Sequence, residues 1–240
     1  MTGSETFLDG RVIVRQPETG FRAGLDAVML AAAVPQGGSA LELGAGAGTA
    51  SLCLAVRLTT MTVTGIEIDP RLVQLANDNA AANGLAGRVR FAAANAFALP
   101  LEFKREYDCV LINPPFHGDG QASPDSDRAR ALMDGGALGD WLVAGLKRTI
   151  SGGTLTAILR ADRLNEALGA LPLTGVSAFP LWPRAGGPAR RVLIQARKGS
   201  GAGFGLLPGL TLHDSSGAYT PEADAILRGQ AALALGVPRL

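Results

Sequence analysis

Short apolar runs and segments with helical spacing alternate along most of the chain. The apolar runs are rich in β-branched residues, as expected of buried strands, and lie at residues 41–43, 61–68, 89–93, 107–112, 154–159 and 192–196. Helical periodicity is found at residues 26–34, 49–58, 71–83, 138–150 and 162–170. Strands that alternate with helices predict an α/β fold, in which helices cover both faces of a mostly parallel sheet.

The first residues follow a different pattern. Residues 6–16 place the pair Asp9-Gly10 between β-prone residues, and such a pair is the preferred two-residue turn of a β-hairpin. A helix follows and ends before Pro35. The simplest division is therefore an N-terminal extension of hairpin and helix over 1–36, packed on one main domain over 37–240.

Composition narrows the class of protein. The chain has 240 residues, of which 47% are hydrophobic and 18% charged, so we expect an ordinary globular domain. No apolar run approaches the ~20 residues that a membrane helix needs, and the polar, acidic start does not resemble a signal peptide. Cys53 and Cys109 lie inside apolar runs, as expected of buried free thiols in a reducing compartment. We therefore expect a cytoplasmic protein with no membrane association.

Charge gives a weaker indication of partners. The formal net charge of +1 argues neither for nor against nucleic acid. One stretch, 184–198, holds five basic residues and no acidic one: Arg184, Arg190, Arg191, Arg197 and Lys198. It is either a solvated strand edge with its loop or a patch that contacts phosphates, with Arg190 and Arg191 as candidate substrate contacts.

A glycine-rich loop follows the strand at 41–43. In parallel sheets, ligands bind outside the carboxyl ends of the strands, so residues directly after each strand are the candidates for function. The segment 42–48 reads ELGAGAG, and its glycines would let the backbone approach a ligand closely. A dinucleotide fingerprint would need glycine where Thr49 stands, and the Gly-Lys-Ser/Thr of a P-loop is absent. The segment resembles the E/D-x-G-x-G-x-G pattern of class I methyltransferases, which implies that Glu42, Gly44, Gly46 and Gly48 bind S-adenosylmethionine.

The ends of the next two strands offer further cofactor contacts. Glu67 stands where a carboxylate could accept both ribose hydroxyls, and Ile68 would pack on the adenine. Asp69 before Pro70 is instead typical of a helix N-cap. After the strand at 89–93, Asn95-Ala96 occupies the place where this superfamily usually has an aspartate that accepts from the adenine amino group. The amide oxygen of Asn95 can still accept, without the assistance of a charge.

The most specific motif follows the strand at 107–112. Asn113-Pro114-Pro115-Phe116 matches the N/D-P-P-Y/F motif of methyltransferases that act on planar amino nitrogens. The lone pair of such a nitrogen is delocalised. Two acceptors, the Asn113 side-chain oxygen and the Pro114 carbonyl, would make the nitrogen more tetrahedral and aim its lone pair at the sulfonium methyl, without a covalent intermediate. Pro115 fixes the backbone, Phe116 could stack on the target base, and Asn113 also adjoins the cofactor.

Neither histidine fits a catalytic or metal-binding pattern. His117 directly follows the tetrapeptide, and we interpret it as a loop or substrate-contacting residue. His213 is isolated in the sequence, and neither histidine belongs to a cluster of ligands, so no metal is expected.

With these motifs, most of the chain resembles the bacterial tRNA1(Val) adenine-37 N6-methyltransferases. The segment 21–32, FRAGLDAVMLAA, resembles one in which Arg22, Gly24 and Asp26 lie over the methionine end of the cofactor or the target base. Arg128 and Arg130 resemble a family segment of substrate-contacting arginines, and 219–222, YTPE, resembles the closing motif. The resemblance implies a doubly wound, Rossmann-like, seven-stranded sheet, S-adenosylmethionine as cofactor and tRNA as partner, with no obligate protein partner.

Three other functions stay open at this point. The form NPPFH also resembles guanine-N2 methyltransferases of ribosomal RNA, which commonly carry a second, degenerate domain for which the ~40 residues before the glycine loop are too few. Glutamine N5-methyltransferases of release factors share the tetrapeptide but usually have an N-terminal helical domain. A sensor that only binds the cofactor would be free to lose Asn113 and Phe116, which are both present.

Overall fold

One sheet organises the chain, and its strand order brings the predicted motifs together. The computed structural model describes residues 2–19, 22–115, 137–172 and 174–236. Its nine-stranded sheet consists of β3 (Ser39–Leu43), β4 (Thr62–Glu67), β5 (Val89–Ala93), β6 (Tyr107–Ile112), β7 (Thr149–Arg160), β8 (Val176–Arg184), β9 (Arg191–Arg197), β10 (Gly205–Leu206) and β11 (Leu210–His213).

The seven longer strands have the order β5-β4-β3-β6-β7-β9-β8, and the short β10 and β11 both pair with β8. Only β9 runs antiparallel to its neighbours. This confirms the predicted mostly parallel, seven-stranded sheet, with two short strands added at one edge. The chain first continues outward from β3 to β5 and then returns to β6 on the other side of β3. Such a reversal creates a crevice at the carboxyl ends of β3 and β6.

Helices cover both faces, as predicted. They are α1 (Leu25–Ala33), α2 (Thr49–Arg57), α3 (Pro70–Ala82), α4 (Leu138–Lys147), α5 (Leu164–Ala170) and α6 (Pro221–Leu227). The buried hydrophobic residues form two clusters. Helices α1, α2, α3 and α6 contribute to one cluster, and α4 and α5 contribute to the other. Asp69 caps α3 as expected, since its side chain accepts from the Arg71 N–H ahead of a helix that starts at Pro70.

The N-terminal hairpin is present, with the Asp9-Gly10 turn that the sequence predicts. Strands β1 (Thr2–Phe7) and β2 (Val12–Pro17) pair as far as Phe7 and Val12, and the Arg11 N–H donates to the Leu8 carbonyl at 3.3 Å, which leaves Asp9 and Gly10 as the two central residues of the turn. Asp9 and Gly10 have φ of 60° and 80°, the positive values that a two-residue hairpin turn favours, and the preceding Leu8, with φ of 52°, is only 4% exposed. Side chains of α3 hold the hairpin, because the Asn79 and Asn83 Oδ1 atoms accept from the N–H groups of Arg15 and Ile13.

The later half departs most from the predicted elements. The helix predicted over 138–150 ends at Lys147, and β7 begins at Thr149 and runs through Gly152 and Gly153, five residues earlier than expected. The helix predicted over 162–170 starts as a 3₁₀ turn at 161–163 before α5. Strands β8, β10 and β11 and helix α6 were not predicted. No helix in the described ranges is long and apolar enough to cross a membrane.

Candidate active site

Four neighbouring strands end at one crevice. The glycine loop follows β3, Glu67 ends β4, Asn95 lies beyond β5, and Asn113 directly follows β6. Because β5, β4, β3 and β6 are adjacent and parallel, their carboxyl ends share one edge of the sheet. The structure therefore brings the predicted cofactor segments and the catalytic motif together.

The three glycines of the loop differ in what surrounds them. Gly44, Gly46 and Gly48 have φ of 76°, 54° and 87°, a region that favours glycine. A Cβ on Gly48 would lie 2.6 Å from Cζ of Phe91, so this glycine is required by packing. A Cβ on Gly44 would lie 3.2 Å from the Trp141 ring, whereas one on Gly46 would meet nothing within 4 Å. Gly46 thus presents the open face of the loop.

Glu67 is held against this loop by backbone donors. Its Oε2 accepts from the Gly46 N–H at 2.9 Å, and its Oε1 accepts from Ile68 at 2.8 Å and from Asp69 at 3.1 Å. The carboxylate therefore has a fixed orientation beside the open face at Gly46. Ile68, the next residue, is 54% exposed, so its side chain is open to contact with a ligand such as an adenine ring.

The segment after β5 forms a tight turn. The Asn95 Oδ1 accepts from the Phe97 N–H at 2.8 Å, so one lone pair of the oxygen is used within the chain and one is left for a ligand. Ala96 is partly buried in the cluster beneath. Phe97 is 39% exposed and meets the Trp141 ring edge-on, with centroids 5.0 Å apart. Sequence reasoning missed Phe97 and Trp141, which together add apolar surface to this edge.

Glu42 lies beneath the loop rather than in the open. It is 3% exposed, and its Oε2 accepts from the N–H and hydroxyl of Ser51 on α2. Burial raises the pKa of this carboxyl to about 8. The structure thus gives Glu42 a partner that ties β3 to α2.

Two buried polar atoms at this edge lack partners. Asn113 is half-buried, yet its Oδ1 is covered and accepts no hydrogen bond from any described residue. The same is true of the Thr49 Oγ1, which directly follows the glycine loop and was not predicted. A buried acceptor without a partner costs roughly 1–3 kcal/mol, so a water or a ligand that donates to these atoms would be stabilised there. Behind Asn113, Pro114 is buried and Pro115 half-buried, which fixes the backbone.

The residues predicted from the N-terminal segment find partners within the chain. Arg22 forms an ion pair with Glu5 of the hairpin, and Gly24 is the N-cap residue of α1. The Asp26 Oδ2 accepts from the Nε of Arg191 at 2.7 Å. Phe116, His117, Arg128 and Arg130 lie outside the described residues.

The basic stretch divides between the two edges of the sheet. Arg191 begins β9 opposite Arg160, the last residue of β7, so Arg190 and Arg191 lie at the carboxyl edge. Arg197 and Lys198 lie at the other end of β9, where Lys198 pairs with Glu106. As for metals, the described part of the chain holds no group of three or more His, Cys, Asp or Glu side chains that could bind one.

Comparison with known proteins points to one class. The family model described as "Methyltransferase small domain" matches residues 23–144. A tRNA1(Val) (adenine(37)-N6)-methyltransferase of Yersinia enterocolitica is 27% identical over 213 residues, or 86% of this chain and 84% of that protein. One of Porphyromonas gingivalis is 28% identical over 241 residues, or 91% and 92%.

Solved structures agree in fold. A predicted O-methyltransferase from Agrobacterium tumefaciens matches with a TM-score of 0.73 and 28% identity, covering 88% of this chain and all of that one (100%). TrmN from Thermus thermophilus matches with a TM-score of 0.50 and 29% identity, covering 72% of this chain and 48% of that one.

Proposed function

Because the chain belongs to the methyltransferase small domain family, we propose that it transfers a methyl group from S-adenosylmethionine to the exocyclic N6 of an adenine in tRNA. The observation that carries the proposal is the buried Oδ1 of Asn113 at the crevice, which has no hydrogen-bond partner among the residues that the structure describes. The names of the similar proteins from Yersinia and Porphyromonas favour adenine 37 of tRNA1(Val), or a position like it, as the target.

The residues at the crevice fit this cofactor. Its methionine end would meet the backbone of the loop at Gly46, and its ribose hydroxyls would donate to Glu67. Ile68 would cover one face of the adenine, and the remaining lone pair of Asn95 would accept from the adenine amino group. Once bound, S-adenosylmethionine supplies an electrophilic methyl group on a sulfonium.

Asn113 orients the acceptor nitrogen. An exocyclic amine has two N–H bonds, and the Asn113 Oδ1 and the Pro114 carbonyl offer two acceptors on one rigid segment. Accepting both bonds turns the nitrogen lone pair out of the π-system and towards the methyl group. No described residue donates to the Asn113 oxygen, so a hydrogen bond to a bound amine would be gained only when the substrate is in place.

The two hydrogen-bond acceptors at Asn113 and Pro114 also help to distinguish adenine N6 from other groups that could receive the methyl. An O-methyltransferase, as the Agrobacterium relative is described, acts on a hydroxyl with one hydrogen to donate, which would leave one of the two acceptors unused. Guanine N2 and the amide nitrogen N5 of glutamine are also planar nitrogens with two N–H bonds, so identification of the product must decide among the three. We place the reaction in the cytoplasm, on RNA, with no membrane, metal or obligate protein partner required.

The decisive experiment combines product identification with a variant. Protein, labelled S-adenosylmethionine and unmodified tRNA are incubated, and the nucleosides are identified by mass spectrometry. We expect N6-methyladenosine from the wild type. Asn113→Ala should lower the rate by roughly 100-fold or more while cofactor affinity stays within a few-fold. Asn113→Asp keeps an acceptor oxygen at this position beside the Pro114 carbonyl, and it should retain part of the activity.

Asn165→Ala is the matched control, because Asn165 is an exposed asparagine on α5, which follows β7 and not one of the four strands that end at the crevice. It should leave the rate unchanged. An Asn113→Ala protein with the wild-type rate would contradict the orienting role. A product on ribosomal guanine, on release-factor glutamine or on a hydroxyl would replace adenine N6 as the target.

A further inference from the structure

The edge that holds Asn113 continues beyond the catalytic crevice. Strand β8 is parallel to β7, since both pair antiparallel with β9, and β11 is parallel to β8. The carboxyl ends of these strands, at Arg160, Arg184 and His213, therefore extend the edge at which β6 ends. Four strand intervals separate β6 from β11, which places His213 about 19 Å from the crevice across the sheet at ~4.8 Å per interval.

An aromatic pair lies at the far end of this edge. The rings of His213 and Tyr219 are stacked, with centroids 4.6 Å apart and planes inclined by 24°. The pair is fixed on both sides: the His213 Nδ1 lies 3.2 Å from the Gly217 carbonyl oxygen, and Thr220 caps α6 and donates to the Thr211 carbonyl. Tyr219 nevertheless remains 43% exposed. It is a rigid aromatic surface that no described side chain covers fully.

A cleft of about 300 Å³ opens beside Tyr219. Its other walls come from the end of β1, the first turn of α1 and α6, through Phe7, Gly24, Leu25 and Leu227. This volume is at the lower limit of small-ligand sites, and the walls present both polar and apolar surface. Gly24 stands two residues before Asp26, whose bond to Arg191 anchors this turn of α1 at the same edge.

Positive charge accompanies the aromatic pair. Arg184 pairs with His213 across β8 and β11, and its Nη2 would lie 3.8 Å from a Cβ on Gly217. Neither Arg184 nor the exposed Arg190 has an acidic partner among the described side chains. The nearby Asp214 is engaged in its own turn, where Oδ1 accepts from Ser216 and Ala218.

On the basis of the proposed RNA methylation, we propose that Tyr219, supported by His213, stacks on a base of the RNA that lies outside the catalytic crevice. The phosphates on either side of that base would lie at Arg184 and Arg190. Every base has a π-face, so a single aromatic platform binds single-stranded RNA without reading its sequence, and arginines at its margin contact the backbone. This second contact would hold a tRNA loop in register while its target base enters the crevice.

The chain offers a matched control for the ring. Phe204 is 43% exposed, like Tyr219, but it precedes β10, whose Gly205 pairs with Ser177 near the start of β8. It therefore lies at the opposite edge of the sheet. Arg197, at the far end of β9, is the corresponding control for Arg184.

The test measures RNA binding and methylation separately. Dissociation constants for an unmodified tRNA transcript are measured by fluorescence anisotropy at several salt concentrations. Tyr219→Ala should weaken binding roughly 5-fold or more, Tyr219→Phe should stay within about two-fold of the wild type, and Phe204→Ala should have no effect. Arg184→Gln should lower the slope of log affinity against log salt by about one, and Arg197→Gln should not. Affinity for S-adenosylmethionine should be unchanged throughout.

Equal binding by the Tyr219→Ala and Phe204→Ala proteins would overturn the inference, as would a wild type that binds no tRNA. If Tyr219→Ala lowers the thermal unfolding midpoint, Tyr219→Leu keeps an apolar side chain without a ring and should show the same loss of binding. A wild type that binds tRNA but forms no N6-methyladenosine would contradict the proposed reaction and leave the stacking result standing. Loss of glutamine methylation in a release factor, with tRNA binding unaffected, would assign the surface to a protein partner and overturn its assignment to RNA.

Discussion

Asp26 and Arg191 are joined by a hydrogen bond of 2.7 Å between the carboxylate Oδ2 and the guanidinium Nε. The pair links the first turn of α1 to the first residue of β9 across 165 positions of sequence. The sequence had suggested separate ligands for the two residues, the cofactor or target base for one and RNA for the other. In the folded chain each residue contacts the other, so a change at either one should affect how α1 is held at the carboxyl edge of the sheet.

A double-mutant cycle measures this link. Both side chains are largely covered, at 18% exposed for Asp26 and 32% for Arg191, so the pair is screened less than a surface pair. Urea unfolding of Asp26→Asn, Arg191→Gln and the double variant should give a coupling energy of about 1 kcal/mol. The exposed pair Asp9–Arg228 is the control and should show a coupling near zero. Equal coupling in both pairs would mean that burial adds nothing to the link.

Glu67 should determine cofactor affinity through its charge. Its carboxylate is already oriented by three backbone N–H groups, so Glu67→Gln keeps the shape but removes the charge that the ribose hydroxyls would meet. Calorimetric titration with S-adenosylmethionine should show a loss of about 1.5–3 kcal/mol in binding free energy. Glu102→Gln, at an exposed carboxylate, should bind as the wild type does. Unchanged affinity in the Glu67 variant would exclude the ribose contact.

Substitution of Gly46 should have two separate effects, one on the stability of the fold and one on binding of the cofactor. Alanine there meets no atom within 4 Å but must adopt a φ of 54°, at a cost of about 1–2 kcal/mol in the free energy of unfolding. Gly84→Ala carries the same kind of strain, with a φ of 68° and open space around the added Cβ. We expect similar destabilisation in the two variants, measured by urea unfolding. Only Gly46→Ala should also weaken S-adenosylmethionine binding. If the Gly46→Ala and Gly84→Ala proteins bind S-adenosylmethionine with equal affinity, the open face of the loop at Gly46 does not contact the cofactor.

The parts of the fold that could be predicted from the sequence are marked by short motifs of neighbouring residues. The glycine loop, the cap at Asp69 and the segment Asn113-Pro114-Pro115 lie directly after buried strands, and position in an α/β sheet follows from that order. Strand β8 carries the opposite signal, because Pro180 and Pro183 lie within it and proline argues against a strand inside a sheet. Pro180 is accommodated opposite Val192, in pairing that no local pattern reveals.

The direction of β9 explains why the basic stretch 184–198 does not form one surface patch, which the sequence alone could not show. Arg191 and Arg197 are six positions apart, and β9 carries them to opposite edges of the sheet, about 20 Å apart at ~3.4 Å per residue. A count of charges along the sequence cannot show this separation. The aromatic pair likewise depends on β11 folding back along β8, which places His213, isolated in the sequence, against Tyr219.

Glu42 should make the stability of the folded protein depend on pH. Burial raises the pKa of this carboxyl from 4.5 to about 8, so between these values the folded protein holds a proton that the unfolded chain releases. The folded state binds more protons there, and the stability contributed by the protonated carboxyl is therefore lost as pH rises towards 8. Glu42→Gln, a neutral side chain of similar shape, should escape this loss.

Urea unfolding of the wild type and of Glu42→Gln at several pH values tests the direction of this pH dependence. Relative to the wild type, the free energy of unfolding of Glu42→Gln should rise by up to about 1.4 kcal/mol per pH unit across the interval between the two pKa values, and should level off above it. Glu102→Gln should follow the wild type, because that carboxylate is exposed. A constant difference between Glu42→Gln and the wild type across this range would show that Glu42 is ionised in the folded protein. Its two hydrogen bonds from Ser51 would then outweigh the cost of burying the charge.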